Sequence, residues 1–154
     1  MRRLFVQSAS LALSFAFVFV WQNTFLSQYT LWLLSLLSLV YIALAFKRKS
    51  FDLIATMKNE LLGLLILNTV VVLIVMMSGN FSSPLFFLLY FLSFGIAFAY
   101  EPAVIFVYAL GIVLLLFPFT FKEDIARNLL MVGSITLIAP LAFFFGKTFL
   151  KDKK

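Results

Sequence analysis

Apolar residues are gathered into six runs, at 4–21, 31–46, 61–78, 85–100, 103–119 and 129–146, with short polar breaks between them. A bilayer core about 30 Å thick is crossed by roughly 20 apolar residues in a helix that rises 1.5 Å per residue. The runs predict an all-α, polytopic membrane protein: one domain over 1–154, a bundle of six transmembrane helices. The shortest run covers about 24 Å, and flanking aromatics or local thinning absorb the deficit. The first run follows Arg2 and Arg3, as in an export signal. Such signals have an apolar centre of about 7–15 residues and then a small-x-small cleavage site. This run has 18 residues and continues into Gln22, Asn23 and Thr24, so it reads as a retained anchor.

The breaks differ in kind. Little more than Glu101-Pro102 separates the fourth and fifth runs. Pro102 suits the first turn of a helix and Glu101 its positive N-terminal end, so those helices are antiparallel neighbours. Residues 47–60 are longer and polar. Ser50 can cap a helix there whose Leu53, Ile54, Met57 and Leu61 share a face. It is either a headgroup-plane segment or the start of a long third helix.

Composition narrows the chemistry. Of 154 residues 64% are apolar and 12% charged, against about 25% charged in a soluble domain. The absence of His and Cys removes the usual ligands of zinc, haem and iron–sulfur clusters, and the thiol of a redox switch. A Ser nucleophile has no His base, and no phosphate loop or carboxylate pair is present. The expectation is a non-enzyme without a metal.

Charge placement predicts orientation, because cytoplasmic loops collect Lys and Arg. With the N-terminus inside, Arg2, Arg3, Lys47, Arg48, Lys49, Lys58, Lys147, Lys151, Lys153 and Lys154 lie on the inner side; Lys122 and Arg127, balanced by Glu123 and Asp124, lie outside. Both termini are expected in the cytoplasm and the chain in the inner membrane. The net charge of +6 is explained by anionic lipid and needs no nucleic acid.

No run has an ionisable residue at its centre, which lowers the standing of proton-coupled carriers. Asn68 and Thr69 are the main mid-depth polar pair, and helix packing is their commoner use. Ser10 with Ser14 and Gly95 with Ala99 fit the small-xxx-small pattern of close helix approach. Pro118 closes the fifth helix, whereas Pro140 lies inside the sixth and predicts a kink.

One uncharged segment stands apart: Ser78-Gly79-Asn80-Phe81-Ser82-Ser83-Pro84, followed by Leu85-Phe86-Phe87-Leu88-Leu89-Tyr90. Gly79 and Asn80 suit left-handed backbone and Pro84 a helix start, which together make a tight turn. The run resembles the Thr-Gly-Gly-x-x-Ser-Pro turn in the membrane sensor module of bacterial sensor histidine kinases, notably the redox-responding group. Gly79, Ser83 and Pro84 match, Ser78 stands for Thr, and Asn80 stands for the second Gly. The resemblance covers about 40 residues and implies a ligand site at Ser78, Gly79, Asn80, Ser83 and Pro84, with a quinone as the ligand. That family continues into a kinase region with a phosphorylated His, and this sequence has no His. The expectation is therefore a sensor-like input module without its own output domain. It would act through a cytoplasmic kinase or another membrane subunit, or as a homodimer. The alternatives are a small carrier or transporter subunit with Asn68, Thr69 and Pro140 around a cavity, and a non-catalytic assembly subunit.

Overall fold

The computed structural model describes residues 2–47, 53–122 and 124–152. The fold is all-α. The described residues form six helices, α1 (Arg2–Gln22), α2 (Thr30–Lys47), α3 (Leu53–Met77), α4 (Phe87–Ala99), α5 (Val104–Thr120) and α6 (Ile125–Asp152). Two of the connections contain single 3₁₀ turns, at Phe25–Tyr29 and Asn80–Ser82.

The expectation of six transmembrane helices is corrected by helix length. Among the described residues, three segments are long and apolar enough to cross a bilayer: Arg3–Gln22, Phe25–Leu44 and Ile125–Phe149. The other apolar helices, Leu61–Met77, Phe87–Ala99 and Val104–Thr120, are shorter. With its 13 residues, α4 rises only about 20 Å. The apolar run that predicted a span at 85–100 includes residues that are not helical. Pro84 to Phe86 form turns, and Phe86 is buried in the core from a turn position. An apolar run measures composition, and here composition outruns the helix.

Hydrogen bonds fix the relative directions of the helices. Ser10 Oγ donates to the Leu61 carbonyl at 3.3 Å and Ser14 Oγ lies 3.5 Å from that of Leu65, a constant offset, so α1 and α3 run parallel. Tyr90 meets Ser134 and Ala97 meets Gly146, so α4 and α6 are also parallel. Gln7, buried on α1, accepts from the Glu101 N–H at 3.2 Å, which ties the α4–α5 turn to the beginning of α1. The start of α1 and the end of α6 consequently share one end of the bundle. The 78–84 turn and the α5–α6 connection share the other, joined by Arg127 Nη2 donating to Ser82 Oγ at 2.9 Å.

Leu, Ile and Val fill the core, with Leu11, Leu64, Leu73, Ile96, Ile105, Ile112 and Ile135 almost fully buried. Most Phe faces outward, and among the described residues only Phe15, Phe81 and Phe86 are buried. An exposed aromatic and aliphatic surface of this extent is incompatible with water and suits lipid. The chain is a helical protein embedded at least in part in a membrane.

Residues 53–60 belong to α3, one continuous helix from Leu53 to Met77, as in the long-third-helix alternative. Ser50, like Arg48, Lys49, Glu123, Lys153 and Lys154, lies outside the described residues. Pro118 sits two residues before the end of α5. Pro140 is accommodated inside an uninterrupted α6, where it leaves the Thr136 carbonyl without its usual helix donor.

Candidate functional site

Local chemistry builds the 78–84 turn. Ser78 ends α3, its N–H bonded to the Ile74 carbonyl at 3.0 Å and its hydroxyl donating to the same oxygen at 2.7 Å. Gly79 has φ +119° and Asn80 φ +52°. These are left-handed conformations that Gly and Asn tolerate best. The chain then closes through Ser82 N–H to Gly79 O (2.9 Å) and Ser83 N–H to Asn80 O (3.1 Å). The Ser83 hydroxyl bonds Ser78 Oγ and accepts from the Leu85 N–H at 3.0 Å. Pro84 is exposed and follows as the chain enters α4.

The turn does not stand alone. Gly79, Asn80, Phe81 and Ser82 form one wall of a cavity of about 260 Å³, and Phe119, Lys122, Arg127 and Asn128 form the other. Lys122 Nζ lies 5.1 Å from the centre of the Phe119 ring. Asp124, just before α6, accepts from the Arg127 N–H at 3.2 Å, a capping bond for the helix start. Asn128 is buried and donates from Nδ2 to the carbonyls of Phe119 (3.4 Å), Thr120 (3.4 Å) and Lys122 (2.8 Å). Its amide thereby closes the C-terminal end of α5, whose last carbonyls lack helical donors. Oδ1 of Asn128 and Oδ1 of Asn80 are both buried without a partner.

An aromatic series leads from this cavity into the bundle. The ring centres of Phe81 and Phe86 are 5.9 Å apart, and those of Phe86 and Tyr90 5.7 Å. Tyr90 Oη lies 2.6 Å from Ser134 Oγ on α6. Ser134 donates its own proton to the Met131 carbonyl at 2.7 Å, so Tyr90 is the donor to Ser134.

Of the five turn residues expected to form a site, Gly79 and Asn80 line the cavity, whereas Ser78 and Ser83 hold the turn together. Pro84 does not line it. Asn68 and Thr69 lie elsewhere, fully buried between α3 and α1. Asn68 Nδ2 donates to Ser14 Oγ (2.8 Å), and Ser14 lies 2.8 Å from Thr69 Oγ1, whose proton goes to the Leu65 carbonyl (2.7 Å). Asn68 Oδ1 has no partner. A second cavity, an apolar groove of about 370 Å³ between α1 and α5, is lined by Phe15, Phe19, Gly111 and Leu114 among others. Neither cavity includes Asn68, Thr69 or Pro140.

Phe119, Lys122, Arg127 and Asn128 were not among the expected site residues. The available signal was that Lys122 and Arg127 are the two cations outside the basic side. No cluster of His, Cys, Asp or Glu able to hold a metal occurs among the described residues. No protein-family model, no curated protein and no solved structure matches the chain.

Proposed function

We propose that the chain is a sensor-like input module of the inner membrane, with both termini cytoplasmic, which binds a ligand at the 78–84 turn and passes the event on through α6. The observation that carries this reading is the joining of the turn and the start of α6 around one cavity, with Phe81, Phe86 and Tyr90 leading from it to Ser134. A ligand that shifts Phe81 changes the seat of Tyr90 and, through Ser134, the position of α6. The concentration of Lys and Arg at one end of the sequence pattern supports the orientation. Output would be carried by a separate cytoplasmic kinase or another membrane subunit, and a quinone is the first ligand to test on the strength of the turn's resemblance.

The absence of Cys makes the test clean. Spin labels at Leu62→Cys and Thr148→Cys, both on exposed positions, report the distance between α3 and α6 in reconstituted protein. Addition of a short-chain ubiquinone analogue, oxidised or reduced, is expected to bind saturably and shift that distance. Gly79→Val is expected to abolish both effects. A distance that stays fixed at saturating ligand overturns the sensory reading, whatever binds.

A further inference from the structure

Every residue lining the groove between α1 and α5 is Ala, Gly, Val, Leu or Phe, so its volume of about 370 Å³ offers no charge and no hydrogen-bonding side chain. The floor is closed. Phe15 and Leu115 are buried there, and a Cβ on Gly111 would fall 2.2 Å from the Phe15 ring, so the two helices touch beneath the groove. The mouth is open. Ala12 and Ala16 are exposed, as are Phe19, Leu110 and Leu114 at the rims. An apolar space left empty forfeits the dispersion contacts of its walls. The surface continuous with this mouth is the outward face of α1, whose Arg3–Gln22 segment is long enough to cross a bilayer.

The extent of the groove decides between occupants. No residue before Ala12 on α1 or before Val107 on α5 lines it, and its far end lies at Phe19 and Leu115. Ala12 is midway along Arg3–Gln22. The groove therefore covers about 10–12 Å, from the middle of the spanning segment toward the end that carries the 78–84 turn. One leaflet of the hydrocarbon core is about 15 Å thick. A helix of a second copy that crossed the bilayer would need a seat along the whole seam, and toward the start of α1 the seam is closed by Gln7 meeting the Glu101 N–H. A lipid chain ends at the midplane, where the groove ends. We infer that the groove binds an acyl chain of a membrane lipid from the leaflet on the side of the 78–84 turn, as a fixed site distinct from the chains that pass over the rest of the surface. The site selects the chain and is indifferent to the head group, since nothing polar lines it. It does not depend on a sensory role.

Photolabelling tests it. The full chain is reconstituted singly in nanodiscs of dioleoyl phosphatidylcholine containing a small proportion of the same lipid with a diazirine midway along one acyl chain, then irradiated, digested and sequenced by mass spectrometry. Labelling is expected to concentrate on the groove residues of α1 and α5, severalfold above that at Leu137, which is exposed midway along the spanning segment of α6. Ala16→Phe puts a ring into the mouth from an exposed position and is expected to bring groove labelling down to the level at Leu137. Val20→Phe makes a comparable change at an exposed position of α1 that does not line the groove, and it is expected to leave the labelling unchanged. Groove labelling no higher than at Leu137 in the parent chain, or undiminished in Ala16→Phe, overturns the inference. Loss of groove labelling when two copies share a disc makes a second copy the occupant and overturns it as well. No quinone is present in these discs, so the labelling pattern and the α3–α6 distance succeed or fail separately.

Discussion

Gly146, Gly111 and Gly95 lie on three helices and differ in what a methyl group would meet. A Cβ at Gly146 would fall 2.3 Å from the Ala97 carbonyl oxygen, and one at Gly111 would fall 2.2 Å from a ring carbon of Phe15. At Gly95 nothing lies within 4 Å. Backbone moves less readily than a ring that borders an open groove, so the expected order of damage is Gly146→Ala, then Gly111→Ala, then Gly95→Ala. Overpacking of this kind costs about 1–3 kcal/mol. Gly95→Ala is expected to stabilise the helix by up to about 1 kcal/mol. Unfolding in mixed micelles measures all three, and equal stability of the Gly146 and Gly95 variants would sink the packing argument. The same residues show what a spacing rule can reveal. Ser10 and Ser14 do face α3, yet Gly95 and Ala99 are exposed, because four-residue spacing identifies a stripe of small residues without saying which neighbour it meets. Asn68 belongs to the same scale. Its polarity at mid-depth was visible, and its partner Ser14 lies 54 residues away, a pairing that only the tertiary contact between α1 and α3 reveals.

Among elements, the link between α4 and α6 carries the most consequence. Tyr90 lies one turn from Phe86 and reaches Ser134, so a hydrogen bond at the end of a series of rings joins the turn to α6 in addition to the direct Arg127–Ser82 bond. Double-mutant cycles with Tyr90→Phe and Ser134→Ala are expected to give a coupling of about 0.5–1 kcal/mol, ordinary for a polar contact between membrane helices. A coupling indistinguishable from zero would show that the two residues do not act as a pair. If the sensory reading holds, Tyr90→Phe leaves ligand affinity near its starting value and reduces the movement of α6. The existence and order of the six helices were legible in the apolar runs, since each run is centred on a helix. Their lengths were not. Helix ends are set by backbone hydrogen bonding and turn geometry, and at 84–86 the chain uses apolar residues in turns, where composition gives no warning. The cavity was half legible for a related reason. Gly79 and Asn80 announce a turn by their backbone tolerance, whereas the opposite wall arrives from residues about 40 positions further along the chain.

At the scale of the molecule, long and short helices occupy different places. The segments long enough to cross a bilayer, on α1, α2 and α6, are only 28%, 6% and 22% buried. The shorter α5 contributes Val104, Ile105, Tyr108, Ala109, Ile112, Leu115, Leu116 and Thr120 to the buried interior. Helices that face lipid must cover its thickness, because no water inside the core can satisfy an exposed helix end. Helices packed among others can end earlier, since protein covers their termini. Gln7 meeting the Glu101 N–H is one such cover, and Asn128 closing the end of α5 is another. This arrangement places the cavity at the opposite end of the bundle from the start of α1 and the end of α6, so one measurement fixes the orientation of both. With no native Cys, single variants at Ser82 and Thr148 can be probed in intact spheroplasts with a membrane-impermeant thiol reagent. Ser82→Cys is expected to label from outside and Thr148→Cys only after the membrane is opened, the orientation that the excess of Lys and Arg in the sequence near α1's start and α6's end predicts. The reverse pattern would put the cavity on the cytoplasmic side, where its two cations would meet the anionic inner leaflet, and would overturn the orientation proposed for the chain.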